Sequence, residues 1–97
     1  MPSERLAEEA LLDALDALGG SWERVGETIV NNYKFADFRA ALQYVNQAGE
    51  LAERADHHPD ILLHGWNRVR ITLSTHSTGG LTESDFSLAR QIDGLVR

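Results

Sequence analysis

Residues 68–75 read Arg-Val-Arg-Ile-Thr-Leu-Ser-Thr, and the alternation in this stretch limits the fold more than any other feature of the chain. Val69, Ile71 and Leu73 alternate with Arg70, Thr72 and Ser74. Successive side chains of an extended strand point to opposite faces, so one face here is apolar and the other polar. Such a strand belongs in an antiparallel sheet that is covered on one side and open to water on the other.

The remaining elements are built around that strand. Leu6, Ala7, Ala10, Leu11, Ala14, Leu15 and Leu18 fall on one face at helical spacing, which predicts a helix over residues 3–18. Ser3 is placed to cap its start, and Gly19-Gly20 to end it. Residues 21–35 contain Trp22, Val25, Ile29, Val30, Tyr33 and Phe35, with Gly26 where a hairpin turn belongs. They predict two short antiparallel strands. Phe38, Ala41, Leu42, Val45, Ala48 and Ala52 recur at three and four residues, giving a second helix from 37 to about 55, weakened by Gly49. Pro59 disfavours helical geometry in the residue before it, so this helix stops ahead of it. Residues 61–63 and 69–75 read as two more strands around a loop at 64–68. A last helix runs from 82 to about 96. There Thr82 and Asp85 have capping-box spacing, and Leu81 and Phe86 have that of a hydrophobic staple. The order is α-β-β-α-β-β-α. It predicts an α+β fold, a four-stranded antiparallel sheet with helices packed on one face.

At 97 residues the chain suits one domain, 1–97. So small a domain buries roughly 60–65% of its unfolded surface, and oligomerisation would add to its stability. A net charge of −6 repels phosphate backbones and argues against nucleic acid as a partner. The absence of cysteine excludes disulfides, thiolate metal sites and cysteine nucleophiles. No apolar run approaches the roughly 20 residues of a membrane span. The first residues, MPSERLAEEA, lack the basic start and apolar core of a signal peptide. A cytoplasmic location is expected.

Residues 55–60 read Ala-Asp-His-His-Pro-Asp. Histidine has an ordinary pKa of about 6.5 and moves protons at neutral pH. His57 and His58 stand where the long helix gives way to a loop, and Pro59 restricts how the pair is presented. His76 follows the alternating strand. If that strand continues to residue 76, its side chain shares the polar face with Arg70, Thr72 and Ser74. Behind it Ser-Thr-Gly-Gly makes a small loop that a ligand can approach closely. A pocket at the sheet's end, lined by His57, His58 and His76, is expected. Plainer roles compete: a surface or capping role for the histidine pair, a cap for Asp85, and core or interface anchors for Trp22 and Trp66. His64 has no evident partner and reads as a surface residue. Three imidazoles can hold zinc. Adjacent histidines project in different directions, however, and no pair has the i, i+4 spacing of helical zinc ligands. No nucleophile elbow supports a serine triad.

The histidine pair belongs to a longer pattern. Glu53 is followed by three residues, His57-His58-Pro59, six residues, Trp66, nine residues, His76, eight residues and Asp85. This resembles the signature of the pterin-4a-carbinolamine dehydratases. The stretches VRITLSTH, GGLTESDFSLARQID and YKFADFRAALQYV resemble that family too, and together the likeness covers residues 4 to 95.

The resemblance implies the same α-β-β-α-β-β-α fold and an activity. The family dehydrates the 4a-hydroxytetrahydropterin (4a-hydroxytetrahydrobiopterin) released by aromatic amino acid hydroxylases. Water leaves, and the quinonoid dihydropterin enters tetrahydrobiopterin recycling. No metal or organic cofactor is implied; the pterin is the substrate. By the same resemblance His57 and His76 are acids reaching the hydroxyl from either face of the ring. His58 binds the pterin and helps remove the N5 proton. Asp56 with the histidine pair, and Ser74, Thr75 and Ser77 around His76, line the pterin pocket, and Pro59 shapes its loop. Glu53, four residues before His57, is placed to orient it. Asp85 serves as cap and as a charge near the histidines, and Trp22 matches an aromatic near the site. Some family members instead partner a transcription factor, and related proteins are assembly chaperones, so a binding role is the alternative. A third reading is action on other pterins, such as those related to molybdenum cofactor.

Overall fold

The computed structural model describes residues 4–96. Its elements are α1 (Glu8–Ala17), β1 (Glu23–Val25), β2 (Thr28–Lys34), α2 (Phe38–Ala55), β3 (Asp60–His64), β4 (Arg68–Leu73), a 3-10 turn (His76–Thr78) and α3 (Glu83–Gly94). The strands form one sheet in the order β1-β2-β4-β3. Every neighbouring pair is antiparallel. The order α-β-β-α-β-β-α and the one-sided covering of the sheet are as the sequence predicts.

The period-2 pattern explains where the core lies. Ile29 pairs with Leu73, Asn31 with Ile71 and Tyr33 with Val69. On the other side of β4, Ile61 pairs with Ile71 and Leu63 with Val69. Ile29, Val69, Ile71 and Leu73 have no exposed surface. Helix α2 packs on this face and on α3. Its buried residues are Ala41, Tyr44, Ala48 and Ala52, spaced by three and four. Three of them are alanines, whose short side chains let the helix axis approach its neighbours closely. Helix α3 contributes Phe86, Leu88, Ala89 and Ile92.

Several boundaries differ from the sequence prediction. α1 starts at Glu8, its N-cap is Ala7, and no side chain caps it. Residues 5 and 6 run extended instead: Arg5 bridges Thr82, and the Leu6 N–H donates to the Leu81 carbonyl at 2.9 Å. A tertiary backbone contact overrides the local helix preference of the first turn. The predicted cap, Ser3, lies outside the described residues. β3 is longer than predicted and takes in Asp60 and His64. β4 ends at Leu73, so His76 does not continue its polar face but opens the 3-10 turn. α2 ends at Ala55, where the sequence predicts, and its cap is a left-handed residue, Asp56.

Candidate active site

The histidine pair is positioned by the way α2 terminates. Asp56 adopts φ 50° and ψ 44°. Aspartate is among the few non-glycine residues that visit this region. The His57 N–H then reaches back to the Ala52 carbonyl at 3.1 Å, closing the helix. The chain has turned by this point, and Pro59 keeps it from re-entering a helix. His57 and His58 therefore leave the helix end in different directions.

His57 points to the first turn of α3. Its Nε2 lies 2.6 Å from Asp85 Oδ1. Asp85 has no exposed surface, and the His57 side chain is 14% exposed. The carboxylate has two further donors, both to Oδ2: the Thr82 N–H at 2.9 Å and the Thr75 hydroxyl at 2.8 Å. The Thr75 and Thr82 hydroxyls are themselves 2.9 Å apart. Asp85 sits at the third position of α3 and closes the predicted capping box with Thr82. Leu81 and Phe86, the predicted staple, are both fully buried. One aspartate thus starts a helix and grips an imidazole. A carboxylate only accepts, so Nε2 carries the proton of this bond and Nδ1 is the nitrogen left for other work.

Among the described residues, His76 is tied to this network only through its neighbour in the chain. It follows Thr75 directly, and its turn is held by the Gly79 N–H on the Thr75 carbonyl at 3.1 Å and the Thr75 N–H on the Gly80 carbonyl at 3.2 Å. The His76 ring is exposed, one residue from a side chain that bonds Asp85. The same buried carboxylate therefore bonds His57 directly and, through Thr75, holds the segment that leads into His76.

His58 is placed otherwise. Its Nε2 meets Glu53 Oε2 at 2.5 Å, with both side chains exposed. With Pro59 it borders a groove of about 400 Å³ between α2 and β3, whose apolar wall includes Val45 and Ile61. This corrects the expectation that Glu53 orients His57. The i, i+4 relation assumes a continuous helix, and the left-handed residue at 56 breaks it. Asp56 and Ser77 are exposed and Ser74 is half-buried. The Thr75 hydroxyl is engaged by Asp85 and Thr82 rather than left for a ligand.

Trp22 is not brought to the histidines within this chain. It is buried, and its Nε1–H donates to Asp93 Oδ2 at 3.0 Å. Asp93 lies eight residues beyond Asp85 on α3, about 12 Å along the helix. It also accepts from the Tyr33 hydroxyl at 2.7 Å and from Asn31 Nδ2 at 3.4 Å. Burial first, and the bond to Asp93 second, push the Tyr33 phenol well above its ordinary range. Sequence reasoning missed this cluster. Its signal was Asn31, a polar residue whose strand parity matches Ile29 and Tyr33 and so faces the core. Among the described residues no group of three or more His, Cys, Asp or Glu is placed to hold a metal ion.

This fold is also that of solved proteins. A crystal structure from Brucella melitensis, titled a transcriptional coactivator/pterin dehydratase, superposes with a TM-score of 0.89 at 40% identity, covering 97% of this chain and 100% of that one. A pterin dehydratase-like protein described as a RuBisCO assembly factor in the alpha-carboxysome shares the fold at a TM-score of 0.66. It is 23% identical, over 80% of this chain and 92% of its own. The sequence model of the family described as "Pterin 4 alpha carbinolamine dehydratase" matches residues 4–95, and the chain belongs to that family. Relatives provisionally named pterin-4-alpha-carbinolamine dehydratase include one from Nocardia farcinica, 47% identical over the whole of both chains. Another, from Thermomicrobium roseum, is 46% identical over 95% of this chain and 97% of its own.

Proposed function

We propose that the chain dehydrates 4a-hydroxytetrahydropterins, such as 4a-hydroxytetrahydrobiopterin, to quinonoid dihydropterin and water. It works by histidine acid–base chemistry, without metal or organic cofactor, in tetrahydrobiopterin recycling. The observation that carries this reading is the buried Asp85, which grips His57 and is bonded by Thr75, the residue before His76. The reaction needs two proton movements. A protonated imidazole, His57 through Nδ1 or His76, gives its proton to the 4a-hydroxyl as the C4a–O bond breaks, and water leaves. A base removes the N5 proton, and the electron pair of that N–H bond forms the C4a=N5 double bond. His58, held by Glu53, binds the pterin and takes this proton. Asp56, Pro59, Ser74 and Ser77 border the ring, while Thr75 acts through Asp85. Each positioned acid or base contributes roughly 10²–10⁴-fold.

No helix among the described residues is long and apolar enough to cross a membrane. We place the enzyme in the cytoplasm as a homodimer or homotetramer. Exposed Phe38 and Leu42, one turn apart on α2 at 49% and 43% exposure, support association. The same surface, and the coactivator title of the Brucella protein, favour a second reading as the binding partner of another protein. The test is dehydration of freshly generated 4a-hydroxytetrahydropterin, followed by ultraviolet absorbance, with wild type beside His57→Ala. Acceleration by the wild type that the variant loses supports the enzyme. A wild-type rate equal to the uncatalysed one overturns it in favour of the binding role.

A further inference from the structure

The sheet face turned away from the helices is charged in rows. At one end Glu23, Val30, Thr72 and Asp60 lie side by side across the four strands. Two steps of the pleat further on, Lys34 stands opposite Arg68, and Arg68 opposite His64. The row between them holds Arg70, opposite Asn32 and Leu62. The acidic and basic rows are four residues apart on β2 and β4, about 13 Å.

Like charges directly opposite one another destabilise a sheet. A chain with 15 acidic residues has carboxylates to spare for neutralising them. Arg5, Arg24 and Arg90 do pair with glutamates. Among the described residues, Lys34, Arg68 and Arg70 make no ion pair. All three are exposed, and with His64 and Asn32 they border a groove of about 410 Å³. Asn32 Oδ1 accepts from Arg70 Nε at 3.1 Å, which steadies that guanidinium and leaves its terminal nitrogens unused.

We propose that this groove binds a di- or triphosphate group. Three clustered cations call for two or more negative charges gathered in a small volume. Guanidinium forks match phosphate oxygens in a bidentate way, and Lys34 adds a mobile point charge. The hairpin tip between His64 and Arg68 carries Trp66, which is 61% exposed and held at φ 58°. That left-handed backbone is costly for a bulky residue, and it leaves an unpacked indole at the same end of the sheet. The phosphate therefore comes either from a nucleotide whose base stacks on Trp66 or from an inorganic chain. The site lies on the face opposite the one His57 approaches. On the chain, Arg68 is seven residues before Thr75, roughly 20 Å of extended backbone.

Titration calorimetry of the full chain with ATP and with inorganic triphosphate tests the proposal, with citrate at matched ionic strength as the control. Both phosphates are expected to bind more tightly than citrate, with affinity falling as salt rises. The Lys34→Gln/Arg68→Gln double variant is expected to weaken binding about tenfold or more. Its melting midpoint should hold or rise, because a repulsion is relieved. Equal affinities with steady Trp66 fluorescence indicate the inorganic ligand; tighter ATP binding with quenching indicates the nucleotide. Wild-type affinity no better than for citrate, or an unchanged affinity in the double variant, overturns the proposal. Arg70→Gln gives the same readout should the double variant not fold.

Discussion

Helix α3 carries a buried aspartate near each end, and the two are used differently. Asp85 and Asp93 are 0% and 7% exposed. Each gathers three hydrogen-bond donors. Burying a carboxylate is unfavourable unless such donors satisfy it, so both ends meet the same physical demand. The difference lies in what donates. Asp93 is met by an indole, a phenol and an amide, none of which changes charge near neutrality. Asp85 is met by a backbone N–H, a hydroxyl and an imidazole that still has a nitrogen free. The first arrangement is a brace between β2, the segment before β1 and the end of α3. The second is a brace in which one arm is an imidazole, a side chain able to exchange protons. The two buried acids are therefore told apart only by the chemistry of their partners.

Substitutions at the two ends should separate these uses. The largest effect is expected from His57→Ala, a loss of roughly 10²–10⁴-fold in dehydration rate, with a smaller loss of stability than Asp93→Ala causes because Asp85 keeps its other two donors. If that variant melts far below wild type, the Asp85 end is a brace like the other. Asp93→Ala should do the reverse. It strands the Trp22 and Tyr33 donors in the interior and costs about 2–4 kcal/mol in urea unfolding, while activity per folded molecule is kept.

Smaller changes sharpen the contrast. Thr75→Val removes one donor from Asp85 and is expected to slow dehydration about tenfold, mostly in kcat, with Thr75→Ser restoring most of the rate. A purely structural hydroxyl would move stability and leave kcat alone. The smallest effect is an alkaline one at the Asp93 end. The Tyr33 phenol is held above its ordinary value of 10.0 by burial and then by Asp93. The unfolded chain releases this proton near pH 10 while the folded chain retains it. The contribution to stability is thus complete below about pH 10 and is lost as pH rises past it. Unfolding free energy followed from pH 9 to 11 should fall less steeply in Tyr33→Phe than in wild type.

The element order and the covered face of the sheet were legible because each rests on a short-range period. Val69, Ile71 and Leu73 declare their face within six residues, and Thr82 with Asp85 declares a helix start within four. The start of α1 was not legible, because the Leu6–Leu81 backbone bond competes with it from across the molecule. The charged rows were hidden as well: Lys34, His64 and Arg68 are neighbours only once the β2-β4-β3 register exists.

At the site, the family signature marked His57, His58, His76 and Asp85 as a set from the sequence alone. Tertiary structure decided who partners whom. Helical spacing offered Glu53 to His57, yet Glu53 holds His58 and Asp85 holds His57. Trp22, expected beside the histidines, is bonded to Asp93 at the far end of α3. The sequence by itself determined which residue types were present and the local period that folds them into helices and strands. Only the packed molecule decided their pairings. Such pairings depend on where the backbone leaves a helix and which distant donor fills a buried acceptor, and spacing along the chain does not encode either.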